Sequence, residues 1–453
     1  MESRAQDLGH LIETTSYESL SSLSIERAKM CLLDTIAVTL HGSLAESSRA
    51  VKAYAKSQMA QGKSTVVGGG FKSSAFFAAL CNGTSGHSVE MDDFHKESVM
   101  HPGVVVVPAV LAVGEEIDAA GRDCLLAIVL GYETMIRIGT ASLGTQHKLG
   151  FHPTGTCGIF GSAAAATRLY GLKGEKMIHA LGISGTQASG LLEYKTSGDW
   201  TKRLQAGMAS ARGIQCAQLA LQGFTGPATI LEGPYGFLKA FSEKYDADLI
   251  GQDLGKRWMI ERITYKPYAS CRFSHAPIDA FLRILEEENL QAEEVESVEV
   301  EVSEQAIRSI MYPEERKYRP ETVVDAQFSL PYCLAVAGLF RRVTPREFEP
   351  ERLKDGAILS FARKVKASAG ETFTELYPNH IGCQVKVKAR GTTFVHEVID
   401  SKGDPEVPLS YQEIEEKFKK LTDGILSLSS QEKTIRVIRG LEDLDSIGEI
   451  FGE

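Results

Sequence analysis

Ala28, Cys31, Leu32, Thr35, Ile36 and Thr39 recur at spacings of three and four, which places them on one face of an amphipathic helix with Ser24 as its cap and Gly42 as its stop. The same period runs through 119–138, 158–170, 174–192 and 206–222, segments rich in Ala, Gly and Ser. Small residues at that spacing let helix axes approach closely. After Ile263 the period changes. Val298, Val300 and Val302 alternate with Glu299 and Glu301, and Val385 and Val387 with Lys386 and Lys388, the pattern of half-buried strands. Arg390-Gly391-Thr392 offers a turn into 393–399, so a hairpin is expected there. Segments 277–288 and 328–340 read as helices, and the tail from Ser410 returns to helix. The expected fold is mostly α: a large all-helical domain over 1–262, completed by 401–453, and a smaller α+β lid domain over 263–400.

The chain has 453 residues, 43% of them hydrophobic and 24% charged, ordinary globular usage with room for more than one core. Forty-nine Lys+Arg against 59 Asp+Glu give a net charge of -10, so no global basic field exists to hold nucleic acid or a membrane surface. The N-terminal stretch lacks the apolar core of a secretory signal. The longest apolar run, 104–113, contains Pro108 and falls short of the ~20 residues that a membrane span needs. The eight cysteines show no CxxC and no Cys/His cluster at zinc spacing. They read as reduced, mostly buried thiols of a soluble, cytoplasmic protein.

Three glycine motifs read as structure first, although the glycines from Gly155 could also turn helix N-terminal amides to an anion. Gly62-Lys63-Ser64-Thr65 resembles the end of a phosphate loop, but Ser57 stands where the first glycine is required and a helix precedes it. Gly68-Gly69-Gly70 reads as a plain loop, and Gly155, Gly158 and Gly161 as close helix packing.

Four stretches concentrate ionisable groups in apolar surroundings. The first, His87-Ser88-Val89-Glu90-Met91-Asp92-Asp93-Phe94-His95 with His101-Pro102-Gly103 after it, is a candidate site; the bland alternative is a solvated, acidic helix start. A metal site is a third option, which neither a helical HxxxH nor a second cluster supports. The second holds His152 between Phe151 and Pro153. The third, Thr201-Lys202-Arg203-Leu204-Gln205, is either a site or a helix cap with exposed cations. The fourth runs from Tyr265 through Lys266, Cys271 and Arg272 to His275 at the expected domain boundary. Two cations and a histidine at such a boundary suit a pocket for carboxylates.

These stretches, together with Gly223-Phe224-Thr225-Gly226-Pro227, Leu231-Glu232-Gly233 and Asp325-Ala326-Gln327-Phe328-Ser329-Leu330-Pro331-Tyr332, resemble the MmgE/PrpD family in the same order over nearly the whole chain. The family includes 2-methylcitrate dehydratase, cis-aconitate decarboxylase and iminodisuccinate epimerase. The resemblance implies a large helical domain, a smaller α+β lid, a homodimer, and a cleft site that needs no metal and no organic cofactor. It implies that the acidic run, His101, His152, Lys202 and Lys266 face a small polycarboxylate substrate. Three positions depart from the family pattern: Glu90 stands where decarboxylating members have Asp, Cys271 where they have His, and Gln205 where many relatives have His. They count against cis-aconitate decarboxylation.

The shared chemistry of these relatives passes through a carbanion next to a carboxylate, which preorganised cations stabilise. Lys202, Lys266 and Arg272 are the candidate cations, His101 and His152 the candidate acid and base, and Asp93 the residue expected to orient one of them. Glu90, Cys271 and His275 complete the expected substrate-binding set. The expected function is a cofactor-independent lyase for a small di- or tricarboxylate, of the 2-methylcitrate dehydratase kind. Cis-aconitate decarboxylase, an iminodisuccinate-type epimerase and a non-catalytic carboxylate-binding protein are the alternatives.

Overall fold

A computed structural model describes residues 3–451. The chain divides into two compact units. The first comprises Met1–Leu192, Thr201–Ile263 and Ser410–Glu453. It is built from α1 (Arg4–Thr14), α2 (Ser22–Gly42), α3 (Glu46–Ser57), α4 (Ala75–Gly86), α5 (Gly103–Ile117), α6 (Gly121–Ala141) and the helices Gly158–Leu169, Glu175–Thr186, Thr201–Leu221, Tyr411–Thr422 and Leu428–Arg439. Ser21, rather than Ser24, caps α2: its hydroxyl accepts from the Ser24 amide at 2.9 Å. Helix α6 is long and apolar enough to cross a membrane, but 94% of its most apolar window is buried inside the fold, as in a core helix.

This unit is not all helical. Residues Ser64–Val66 (β1) and Phe71–Ser73 (β2) form a small antiparallel hairpin. The Gly68-Gly69-Gly70 loop is its turn, with Gly68 and Gly70 at positive φ. Three-residue strands fall below what an alternation pattern reveals, which is why the sequence shows only a loop there. The helix expected over 174–192 stops at Thr186, and the segment after it carries Gly190 at φ 149°.

Small residues bring the helices together as their spacing predicts. A Cβ on Gly161 would come 2.8 Å from the Gly131 carbonyl of α6. A Cβ on Gly83 of α4 would lie 2.9 Å from the Cα of Gly207 on Thr201–Leu221. That second contact matters for chemistry, because α4 ends just before His87 and Thr201–Leu221 begins just before Lys202.

The second unit comprises Glu193–Trp200 and Thr264–Leu409. Its sheet has the order β4-β3-β5-β6, from β3 (Val295–Val302), β4 (Val365–Ala369), β5 (Cys383–Ala389) and β6 (Thr392–Val398). Val298 pairs with Val387 and Val300 with Val385 across the antiparallel β3–β5 ladder, so the alternating valines share one buried face, against which the helix His275–Glu287 packs. Arg390 and Gly391, both at positive φ, form the β5–β6 turn, as type I′ geometry requires. Strand β4, parallel to β3, reads Val-Lys-Ala-Ser-Ala and gives no alternation signal. Residues 401–404 also belong to this unit: the Asp404 carboxylate is buried and accepts from the Thr264 hydroxyl at 2.8 Å.

Candidate active site

The run from His87 to His95 is neither a helix start nor solvated. It is a loop between α4 and α5 in which every residue is buried. Burying this many ionisable groups is unfavourable unless they satisfy one another, and the contacts show how they do. His87 Nδ1 lies 2.7 Å from Asp92 Oδ2. His101 Nδ1 lies 3.1 Å from the same oxygen and 2.7 Å from the Asp93 main-chain carbonyl. Each Nδ1 faces oxygen acceptors and so carries its hydrogen, which leaves the lone pair on Nε2. Burial alone would raise the Asp92 carboxyl, but the two imidazoles outweigh it and hold Asp92 well below the usual carboxylate range.

The Asp93 carboxylate does other work than orienting an imidazole. Its Oδ1 accepts from the Gly103 amide at 2.8 Å and its Oδ2 from the Tyr132 hydroxyl at 2.6 Å. A Cβ on Gly103 would come 2.9 Å from that Oδ1, so only glycine allows the approach. Burial pushes Asp93 up to about 7, against the pull of Tyr132 and Gly103. The orientation of His101 falls to the Asp93 carbonyl and to Asp92.

His152 precedes Pro153, which opens a short helical turn. Its Nδ1 lies 2.7 Å from Gln205 Oε1. The Gln205 amide nitrogen donates to the Leu191 carbonyl at 3.0 Å, so the amide oxygen faces the ring and His152, too, carries its proton on Nδ1. The His87 ring stacks on His152 at 5.6 Å and 12° and meets His101 at 4.9 Å and 62°. Burial, then the charge of Lys202, pushes His87 down to about 4. Burial also holds His152 well below its usual value. Both rings are neutral at pH 7. Thr154 reaches the same place, its Oγ1 accepting the His101 amide at 3.1 Å.

Lys202 and Arg203 are buried at the start of Thr201–Leu221, not exposed cap residues. Lys202 pairs with Glu90, which has a left-handed backbone at φ 58°. Arg203 donates to Ser47 Oγ at 3.0 Å. The first unit thus brings together five of the sequence-predicted residues: Glu90, Asp93, His101, His152 and Lys202. Sequence reasoning placed His87 in the candidate stretch and Asp92 in the acidic run expected to face the substrate without giving either its own task, did not single out Tyr132, and read Gln205 only as a departure. His87 and Asp92 stand five apart in an irregular loop, a spacing with no periodic signature.

The ligand atoms of His87, Asp92 and His101 lie within 4.8 Å of one another, so the set is compact enough for a metal. Asp92 Oδ2 and the two Nδ1 atoms already engage one another, while His87 Nε2 and Asp92 Oδ1 are buried with no hydrogen-bond partner among the described residues.

The other four predicted residues lie in the second unit and are buried there. Arg272 is ion-paired with Asp404. The Cys271 amide donates to the Gln327 carbonyl at 2.8 Å. His275 Nε2 lies 3.2 Å from the Ser270 carbonyl, and its ring meets Tyr268 edge-on at 5.2 Å. Lys266 is fully buried. All eight cysteines are free and buried.

The MmgE/PrpD N-terminal domain matches residues 6–250 and the MmgE/PrpD C-terminal domain residues 268–443. A cis-aconitate decarboxylase of Aspergillus terreus is 28% identical over 98% of this chain and 94% of its own length. Cis-aconitate decarboxylase of Homo sapiens is 26% identical over 94% of this chain and 89% of its own. A 2-methylcitrate dehydratase of Escherichia coli O157:H7 is 23% identical over 48% of this chain and 45% of its own. With both of its domains accounted for in order, the chain belongs to the MmgE/PrpD family of lyases.

Proposed function

We propose that the protein is a hydro-lyase of the 2-methylcitrate dehydratase kind, acting on a small tricarboxylate through a carbanion next to a carboxylate. The observation that carries this reading is the buried cluster of His87, His101 and His152, in which each Nδ1 is bound to an oxygen and the rings of His87 and His152 are held neutral. Neutral imidazoles with the lone pair on Nε2 are bases. One of them takes the carbon-bound proton, the electron pair spreads onto the adjacent carboxylate, and the Lys202 ammonium stabilises the charge. The carbon–oxygen bond then breaks, a carbon–carbon double bond forms, and the imidazolium returns its proton to the departing hydroxyl as water. His101 and His152 are the candidates for this imidazole, which acts first as base and then, once protonated, as acid. Lys266 enters as a substrate ligand on the sequence resemblance, and Arg272, Cys271 and His275 on their place in the same stretch of sequence.

Decarboxylation is the second reading, favoured by likeness to cis-aconitate decarboxylases along 94–98% of the chain against 48% for the dehydratases. It needs a proton donor to the carbanion rather than a base, and neutral rings suit that role less well. The test is incubation of chelator-treated protein with citrate, 2-methylcitrate, cis-aconitate and iminodisuccinate in deuterated water, with products followed by NMR. Loss of water from 2-methylcitrate or citrate is the expected result. Release of carbon dioxide from cis-aconitate selects the second reading, and solvent deuterium in unchanged iminodisuccinate selects an epimerase. Binding without any product marks a non-catalytic protein.

A further inference from the structure

We propose, on the reading that the imidazole cluster is catalytic, that Lys417 is a positioning residue whose ammonium fixes the loop carrying Glu90 and Asp92. Lys417 stands on the helix Tyr411–Thr422, in the segment with which the chain returns to the first unit. It is buried. Its Nζ lies 2.6 Å from the Met91 carbonyl oxygen and 2.6 Å from Oδ1 of Asp34, a buried residue of α2.

Met91 separates the two acidic residues that the site uses. On one side, Glu90 pairs with Lys202 from a left-handed backbone at φ 58°. A non-glycine residue keeps that conformation only where its surroundings over-determine it. On the other side, Asp92 receives the Nδ1 groups of His87 and His101. A charge-assisted bond to the carbonyl between them sets the plane of the 91–92 peptide, and with it the direction in which the Asp92 side chain leaves the backbone. The cation is delivered from a rigid element, because Tyr411–Thr422 packs along α2 and Asp34 holds the ammonium from that side. The C-terminal segment therefore closes the helical unit and also sets the proton positions on two imidazoles far away in sequence.

The test is Lys417→Met in the full-length protein, read by the ¹⁵N NMR signals of the histidine rings and by steady-state kinetics. His87 and His101 are expected to lose their Nδ1–H signature, while His152, held by Gln205, keeps it. The kcat is expected to fall about a hundredfold with little change in KM, the scale of a misplacement near 1 Å, and Lys417→Arg to recover part of it. Unchanged ring signals in a folded Lys417→Met protein overturn the proposal, as does wild-type kcat with altered signals. If the wild-type protein turns over no substrate of the panel, the functional reading fails, and the ring signals alone decide Lys417. If Lys417→Met does not fold, Asp34→Asn takes its place: it keeps the lysine, removes its anionic anchor, and is expected to alter the same two rings and spare the third.

Discussion

The amide oxygen of Gln205 lies 2.7 Å from Nδ1 of His152, so a neutral side chain fixes the tautomer of a buried imidazole. Because Gln205 brings no charge, burial is left to dominate and holds His152 low. Gln205→Glu places a carboxylate at that distance and raises His152, typically by about 1–3 units. The acid limb of the kcat/KM profile is expected to move to higher pH by a comparable amount. A limb that stays put shows that His152 is not the group whose protonation stops the reaction.

Lys202 and Glu90 form a buried pair, so Lys202→Ala has two effects. Turnover falls by about 10²–10³, the usual loss for a group that stabilises developing charge. Stability also falls, by about 3–5 kcal/mol, because the buried Glu90 carboxylate loses the ammonium it pairs with. Adding Glu90→Gln restores most of the stability and none of the turnover. Denaturant unfolding of the two variants beside steady-state assays separates the effects.

Stability should vary with pH through two opposed groups. His87 titrates near 4 when folded against about 6.5 unfolded, so the unfolded chain binds more protons between those values and stability drops as pH falls through that window. Asp93 titrates near 7 when folded against about 3.9 unfolded; its contribution is complete below the unfolded value and is lost as pH rises towards 7 and above. Asp93→Asn, which mimics the protonated acid, removes the opposing slope and leaves that of His87, so the rise of stability with pH between about 4 and 6.5 is expected to steepen by up to ~1.4 kcal/mol per pH unit. Urea unfolding at a series of pH values measures the slope, and an unaltered slope would place the Asp93 pKa near its ordinary value.

In the second unit, Arg272 and Asp404 are buried and paired. Arg272→Met or Asp404→Asn alone should cost about 3–5 kcal/mol, and the double variant less than the sum, because neither charge is then stranded. A rise in KM at unchanged stability would instead assign the guanidinium to substrate.

The long helices and the β3 and β5 strands were legible because their apolar positions repeat locally, and β6 because Arg390-Gly391-Thr392 offers a turn ahead of it. Val298, Val300, Val385 and Val387 announce a face whatever the rest of the chain does. Strand β4 and the β1–β2 hairpin were not legible: Lys366, Ala367 and Ser368 give no alternation, and three-residue strands are held by neighbours rather than by their own pattern. At the site, residue types gave away the acidic run, His101, His152 and Lys202, since ionisable groups beside apolar segments stand out. The part played by Gln205 did not stand out, because a neutral amide is significant only through what it touches.

From its order of residues alone, this protein was bound to be a helical body with a smaller mixed unit, carrying a carboxylate-and-imidazole loop ahead of an apolar helix. Periodicity and composition act over a few residues and need no folded context. The tertiary structure decided which nitrogen of each imidazole holds the proton, which carboxylate serves His87 and His101, that the Asp93 carboxylate turns to Tyr132 and Gly103, and that Lys417 reaches the Met91 carbonyl. Each of these is a buried hydrogen bond between segments that only folding brings within 3 Å or so of one another, and there the distance, not the residue type, determines the chemistry.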